Sequence, residues 1–299
     1  MELRQLQYFV KVARKQHVTQ AAEELHVAQS AVSRQIRLLE EEMGVDLFVQ
    51  VGRNVQLTPA GKLFLHKVES ILAELDRSVN EVRELMDPDH GEVRLGFPHS
   101  LGVNLIPSVV AEFRKGHPNV KFRFRQGKFD VLIQDVINNE VDLAFISPFP
   151  EIHAEVTGEL LITEQLFAIV PPNHRLSDQL SIDLADLKDD PFVVFSDGYS
   201  LRPIVIEACA RAGFKPVIGF EGEETDTIRG LVAAGMGVSL LPELALLEVS
   251  PLQPVKVALR PPSVTRTIGL IRRTDEKLPV VAEKFRQFLI AYFNDKQQR

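Results

Sequence analysis

Tryptophan is absent from these 299 residues, cysteine occurs once and tyrosine three times. A single thiol, Cys209, closes no disulfide within the chain and furnishes no thiolate cage for a metal. No apolar stretch reaches the roughly 18 residues that a membrane span needs. The text opens with Met1-Glu2-Leu3-Arg4 directly on a helical pattern, without a secretory leader. The expected location is therefore cytoplasmic, with no membrane association. The eight histidines fall in no H-E-x-x-H or other ligand spacing, and no G-x-S-x-G elbow occurs. Gly235-Met236-Gly237 follows a helical pattern rather than a strand, which makes it a turn into Val238 and not a dinucleotide fingerprint. These absences remove the usual enzyme signatures, and the chain is expected to be no enzyme, with no cofactor and no metal. A basic excess is missing too, since 34 Lys and Arg stand against 41 Asp and Glu, a net charge of −7. Any binding to nucleic acid must rest on where the cations lie.

What is present is densest between Thr19 and Phe48. Residues 19–25 read as a short helix opening on Thr19, with Ala21 and Ala22 small enough for a neighbouring helix to approach closely. After a break at His26-Val27, a second helix is predicted over 29–43. Val32, Ile36, Leu39 and Met43 form its buried stripe. Gln29, Ser30, Ser33, Arg34 and Arg37 take the opposite side, as residue types that read base edges or hold phosphates. An ordinary helical hairpin with a solvated face is the alternative, but the flanks favour DNA. Upstream, Leu3, Leu6, Val10 and Ala13 make another helix stripe; downstream, two strand-like runs flank Gly52-Arg53-Asn54. That is a helix-turn-helix followed by a β-wing with Arg53 at its tip. Residues 1–58 carry seven Lys/Arg and seven Asp/Glu, so one copy should bind DNA weakly and several copies together more tightly.

Thr58-Pro59 starts a long helix, Thr as the cap and Pro at the first turn. Phe64, Val68, Ile71, Leu75, Val79, Val82 and Met86 repeat at steps of three or four. That stripe fits pairing with a second copy better than a single helix packed on its own domain. Asp87-Pro88-Asp89-His90-Gly91 ends it. Beyond, strand-like and helix-like segments alternate: strands near 92–97, 120–125, 141–147, 166–170, 192–195, 217–220, 238–241 and 267–271, and helices near 101–115, 131–138, 202–212, 226–234 and 278–293. Such alternation predicts largely parallel sheets covered by helices.

The N-terminal text LRQLQYFV, VTQAAEELHVAQSAVSRQIRLLEEEMGVDLF and GRNVQLTPAG resembles the winged helix-turn-helix of LysR-type transcriptional regulators. The resemblance runs the whole length. It implies an α/β chain of three parts: a winged helix-turn-helix over 1–58, a linker (dimerisation) helix over 59–89, and a two-lobed, periplasmic-binding-protein-like effector domain over 90–299. Lobe I would comprise 90–163 and 266–299, and lobe II 164–265. Members place their effector between the lobes, where ligands in such folds meet strand ends and helix N-termini. That selects His99, Ser100, Leu101, Ser147, Pro148, Ser196, Ser200, Arg202 and Thr225. The alternative for Ser100 is a simple helix cap, and for Arg202 a pairing with Glu207 or a loop acid. Glu223 and Glu224 would repel an anion, so only Thr225 is kept from that segment.

The expected DNA contacts are Gln29, Ser30, Ser33, Arg34, Arg37 and Arg53. The resemblance further implies promoter DNA, a small carboxylate effector such as 2-oxoglutarate or glutamate, a homodimer or homotetramer, and RNA polymerase as partners. The family's peroxide-sensing disulfide switch is excluded by the single cysteine. The competing reading is a small-molecule-binding or catalytic α/β protein whose helical domain serves protein contacts.

Overall fold

A computed structural model describes residues 1–52, 54–86, 90–149, 154–246 and 253–297. The chain divides into two compact units, Met1–Asn80 and Glu81–Arg299.

The first unit is built from α1 (Leu3–Lys15), α2 (Val18–Glu24), α3 (Gln29–Met43), the hairpin β1 (Phe48–Val51) and β2 (Asn54–Leu57), and most of α4 (Pro59–Met86). The cap of α2 is not Thr19. The His17 ring accepts the backbone N–H of Gln20, and Val18 and Thr19 lie within the first turn. Gln16 and His26 take left-handed backbone angles that turn the chain between helices. Val32, Ile36 and Leu39 are buried as the periodicity requires, but Met43 is 37% exposed. Gly44, in the left-handed conformation, ends the helix there, and Leu47 fills the core position instead. Leu6, Phe9, Val10, Leu39, Leu47 and Val68 make one cluster, and Tyr8, Val12, Ala21, Ala22, Val32 and Ile36 a second. The hairpin pairs Val51 with Asn54 and Phe48 with Leu57; Arg53 lies outside the described residues. Thr58 caps α4 by accepting the N–H of Gly61 at 2.9 Å. At Gly61 a Cβ would stand 2.1 Å from the Leu47 carbonyl oxygen, so only glycine lets α4 approach the hairpin base.

The predicted stripe of α4 divides. Val68 is buried, and Phe64, Leu65 and Leu72 pack on the winged fold. Ile71, Leu75, Val79 and Val82 are 42–63% exposed. The side chain of Met86 and residues 87–89 lie outside the described set.

The second unit runs β3 (Glu92–Phe97), α5 (His99–Gly102), α6 (Leu105–Gly116), β4 (Lys121–Gln126), α7 (Phe129–Ile137), β5 (Leu143–Ile146) and β6 (Val156–Val170). It continues through β7 (Ser181–Ile182), β8 (Pro191–Phe195), α8 (Leu201–Arg211), β9 (Val217–Gly222), α9 (Thr225–Ala233) and β10 (Ser239–Pro242). The last elements are β11 (Val255–Leu259), β12 (Thr265–Arg273) and α10 (Val280–Gln297). The helix expected over 101–115 is two helices, because the Asn104 side chain breaks away to donate to the Leu244 carbonyl.

The sheets are less parallel than the alternation predicts. One eight-stranded sheet runs β4-β3-β5-β12-β6-β11-β7, with β10 also on β6. Pairings among β3, β4 and β5 are parallel, whereas β12 and β6 run antiparallel through the middle. A separate parallel pair joins β8 and β9. The cause is the length of β6 and β12, which pass from one hydrophobic core to the other side by side. One core draws on Leu95, Leu161, Ile268 and Phe285, the other on Leu166, Val170, Phe192 and Val264. Gly235 and Gly237, both at positive φ, turn the chain from α9 into Val238 as the sequence implied.

Candidate functional site

The first surface of interest is α3. Gln29, Ser30, Arg34 and Arg37 are exposed on one face, and Ser33 is partly so. The Gln29 amide donates to Ser33 Oγ at 2.8 Å, one turn apart, which orders the helix start and leaves the Gln29 carbonyl outward. Arg34 and Arg37 have no carboxylate partner among the described residues. Several other cations of this unit are paired: Lys11 and Lys15 both reach Glu24, and Arg14 meets Glu69. Those two lysines hold the Glu24 carboxyl below its ordinary value. A neutral unit thus presents bare positive charge on the helix that the turn exposes. Glu40, at the other end of α3, is turned inward: one carboxylate oxygen accepts the N–H groups of Leu47 at 2.8 Å and Phe48 at 3.1 Å.

The second is a cleft in the larger unit, walled by Pro98, His99, Ser100, Gly127, Lys128, Phe129, Leu132, Ile146, Ser147, Phe195, Tyr199, Ser200 and Leu201. His99, Ser100, Ser147 and Ser200 are brought together as the strand-end rule selects. The others are not. Leu101 is fully buried in the hydrophobic core, because α5 turns it inward. Pro148 follows Ser147 but does not line the wall. Ser196 is held by Gly222, whose carbonyl accepts its N–H and hydroxyl. Arg202 has no free fork for a ligand: Asp197 and Glu221 pair with it at 2.9 Å each, and the Phe195 carbonyl takes a further N–H at 2.7 Å. Thr225 lines a smaller crevice with Ser100, Asn104 and Arg229.

Three residues missed by sequence reasoning complete the cleft. Lys128, which precedes α7, is its lysine. The Nζ stands 4.5 Å from the centre of the Tyr199 ring, bonds the Asp197 carbonyl at 3.3 Å and has no carboxylate partner among the described residues. Burial, then the neighbouring Glu223, hold the Tyr199 phenol above its ordinary value. His99 approaches Tyr199 edge-on, and its Nε2 is 3.6 Å from Glu224. The third residue, Arg266, is fully buried behind Ser100 and donates to its Oγ at 2.8 Å. Burial pulls its guanidinium down from the ordinary range against the pull of Glu164.

Among the described residues four buried side-chain atoms lack a hydrogen-bond partner, and three of them adjoin Ser100: Ser147 Oγ across the cleft, Thr225 Oγ1 across the crevice and Arg266 Nη2 behind it. Such atoms cost on the order of 1–3 kcal/mol each when unsatisfied. Cys209 is remote from this chemistry, buried in the other core with its thiol pushed up to about 12.

The sequence matches the family profile "Bacterial regulatory helix-turn-helix protein, lysR family" over residues 3–62 and "LysR substrate binding domain" over residues 87–294. It is 45% identical over 298 residues to the transcriptional dual regulator GltC of Bacillus subtilis, covering 100% of this chain and 99% of that protein. The LysR family regulator CbnR, solved full-length with its target DNA, superposes with a TM-score of 0.81 at 25% identity, over 97% of this chain and 99% of that one. The effector-binding domain of QuiR, solved with shikimate, gives a TM-score of 0.61 at 29% identity, over 69% and 98% of the two chains. The profiles and relatives are those of regulators, not enzymes. With a helix-turn-helix at one end and an effector-binding domain over the rest, the chain belongs to the LysR family of bacterial transcriptional regulators.

Proposed function

We propose that the effector is a small anion, a carboxylate such as 2-oxoglutarate or glutamate, held in the cleft between Ser100, Ser147 and Ser200 with Lys128 meeting its charge. The observation that carries this reading is the gathering of buried donors around Ser100 that lack partners, beside a lysine with no acid partner, among the described residues. The shikimate complex of QuiR supports the same class of ligand, since shikimate is a carboxylate. The division into a winged domain over 1–58, a linker helix over 59–89 and lobes meeting near Thr163 and Arg266 belongs to this proposal. Gln29, Ser30, Ser33, Arg34 and Arg37 would read the major groove, with Arg53 on the backbone beside it.

Two copies would pair through α4 to match the two halves of a palindrome, and exposed strand edges would join dimers into a tetramer. Among the described residues β4 and β9 each have one neighbour, and they present Phe124 and Val217, Ile218 and Phe220 to solvent. A ligand touching both walls favours one interlobe angle and so resets the spacing of paired DNA domains. The coupling needed is roughly 1–3 kcal/mol. RNA polymerase would then read the altered DNA in the cytoplasm; among the described residues no helix is long and apolar enough to cross a membrane.

Footprinting with and without 2-oxoglutarate and glutamate tests this. Ser100→Ala should keep promoter binding and lose most of the effector's influence on footprint length and transcription. A full response in that variant, with wild-type ligand affinity, would remove the effector from this cleft.

A further inference from the structure

Arg266 and Glu164 face one another in register on β12 and β6. Their side chains are 0% and 4% exposed, and Arg266 Nε donates to Glu164 at 2.8 Å. The other Glu164 oxygen accepts the N–H of Leu244, whose carbonyl in turn accepts the Asn104 amide. A buried ion pair of this kind is a poor device for stability, since well-packed apolar residues commonly do as well. Its remaining bond runs to Ser100. A serine hydroxyl has one proton to donate and two lone pairs to accept with. The guanidinium of Arg266 carries only donors, so it occupies a lone pair of Ser100 Oγ. No other side-chain bond of Ser100 occurs among the described residues, which leaves its proton for the cleft.

We propose that Arg266, locked by Glu164, is a positioning residue that fixes the Ser100 hydroxyl as a donor toward the cleft, so that the site selects ligands presenting an acceptor there. The inference rests on the reading of the cleft as a carboxylate site and adds the polarity of one contact. Without Arg266 the hydroxyl rotates and serves donors and acceptors alike; with it, a carboxylate is preferred to a group that must itself donate. Glu164 acts at one remove, holding the guanidinium in place.

The test uses the full-length protein with 2-oxoglutarate, glutamate and succinate, each beside its amide, in calorimetry and thermal unfolding. Wild type should favour each carboxylate over its amide. Arg266→Lys keeps the charge beside Glu164 but has no second fork for Ser100. It should fold and bind the carboxylates about three- to tenfold more weakly while the amides, whose NH2 can donate to the freed Ser100 lone pair, change little, so the preference narrows by that same factor and the part due to Lys128 remains. A neutral pair, Glu164→Gln with Arg266→Gln, guards against misfolding of a half-broken pair and should show the same narrowed preference. Wild-type affinity and preference in a folded Arg266→Lys protein, with both lost in Ser100→Ala, would overturn the positioning role and leave the cleft intact. Unchanged binding in Ser100→Ala would overturn the cleft reading itself. A wild type indifferent to all three carboxylates would defeat both.

Discussion

Arg34, proposed as a base reader, is exposed on α3 five residues beyond Gln29 and has no carboxylate partner among the described residues. Arg34→Ala should weaken promoter binding by about 1–3 kcal/mol and relax sequence preference, measured by gel shift on matched and mismatched sites. Binding as tight and as selective as wild type would displace α3 from the groove. In the cleft, Lys128→Gln should lower carboxylate affinity by about 1.5–3 kcal/mol, the worth of a charged hydrogen bond, read by calorimetry. Cys209 gives a pH prediction. Its thiol, raised from 9.0 to about 12 in the fold, binds a proton that the unfolded chain releases earlier, so native stability should fall as pH climbs from 9 toward 12. The loss approaches about 1.4 kcal/mol per pH unit inside that window, and at neutral pH the native thiol should resist alkylation that unfolding permits. At this scale the exposed placement of Gln29 and Arg34 and the cleft position of Ser100 were legible in the sequence, because a polar face and a strand end are local patterns. Lys128 and Arg266 were not, since each reaches the cleft from a segment distant in the chain from the serines it serves. Arg202 follows the alternative the sequence offered, since Asp197 is an acid of its own loop, while its second partner, Glu221, is brought near only by the fold.

At the scale of elements α4 carries the strongest expectation. Its first turns are buried by their own unit, while Ile71, Leu75, Val79 and Val82 remain an apolar row in water. Ile71→Glu with Leu75→Glu should cost dimerisation about 3 kcal/mol or more, from two apolar side chains that no longer bury. Sedimentation should show smaller species or aggregate; an unchanged mass at micromolar concentration would defeat the pairing. Helix periodicity found α1, α3 and α4 readily, because 3.6-residue stripes survive without tertiary knowledge. It placed both ends of α3 but carried the buried stripe one residue too far, to Met43, which is 37% exposed, and it ran α5 and α6 together, because the break depends on a bond from Asn104 to a carbonyl 140 residues away. Only the last third of β6 read as a strand. Its earlier half alternates exposed polar and buried residues too loosely to stand out.

For the whole molecule, a net charge of −7 leaves DNA affinity to a few placed cations multiplied by copy number. Substituting Phe124 and Phe220 by Asp on the exposed edges β4 and β9 should reduce tetramers to dimers and shorten the footprint; tetramers of wild-type size in scattering would exclude those edges. The twin paths of β6 and β12 have a separate effect. Leu161 and Leu166 of β6 belong to different cores, and so do Ile268 of β12 and Val264 just before it, so one continuous pair of chain segments threads both. Neither core can melt without unzipping pairs that the other needs. Glu81–Arg299 should therefore exchange its central amides in one cooperative event, as a single foldon, with β6 and β12 slowest of all. A ligand gripping either wall would then slow exchange in the far core, at residues it never meets.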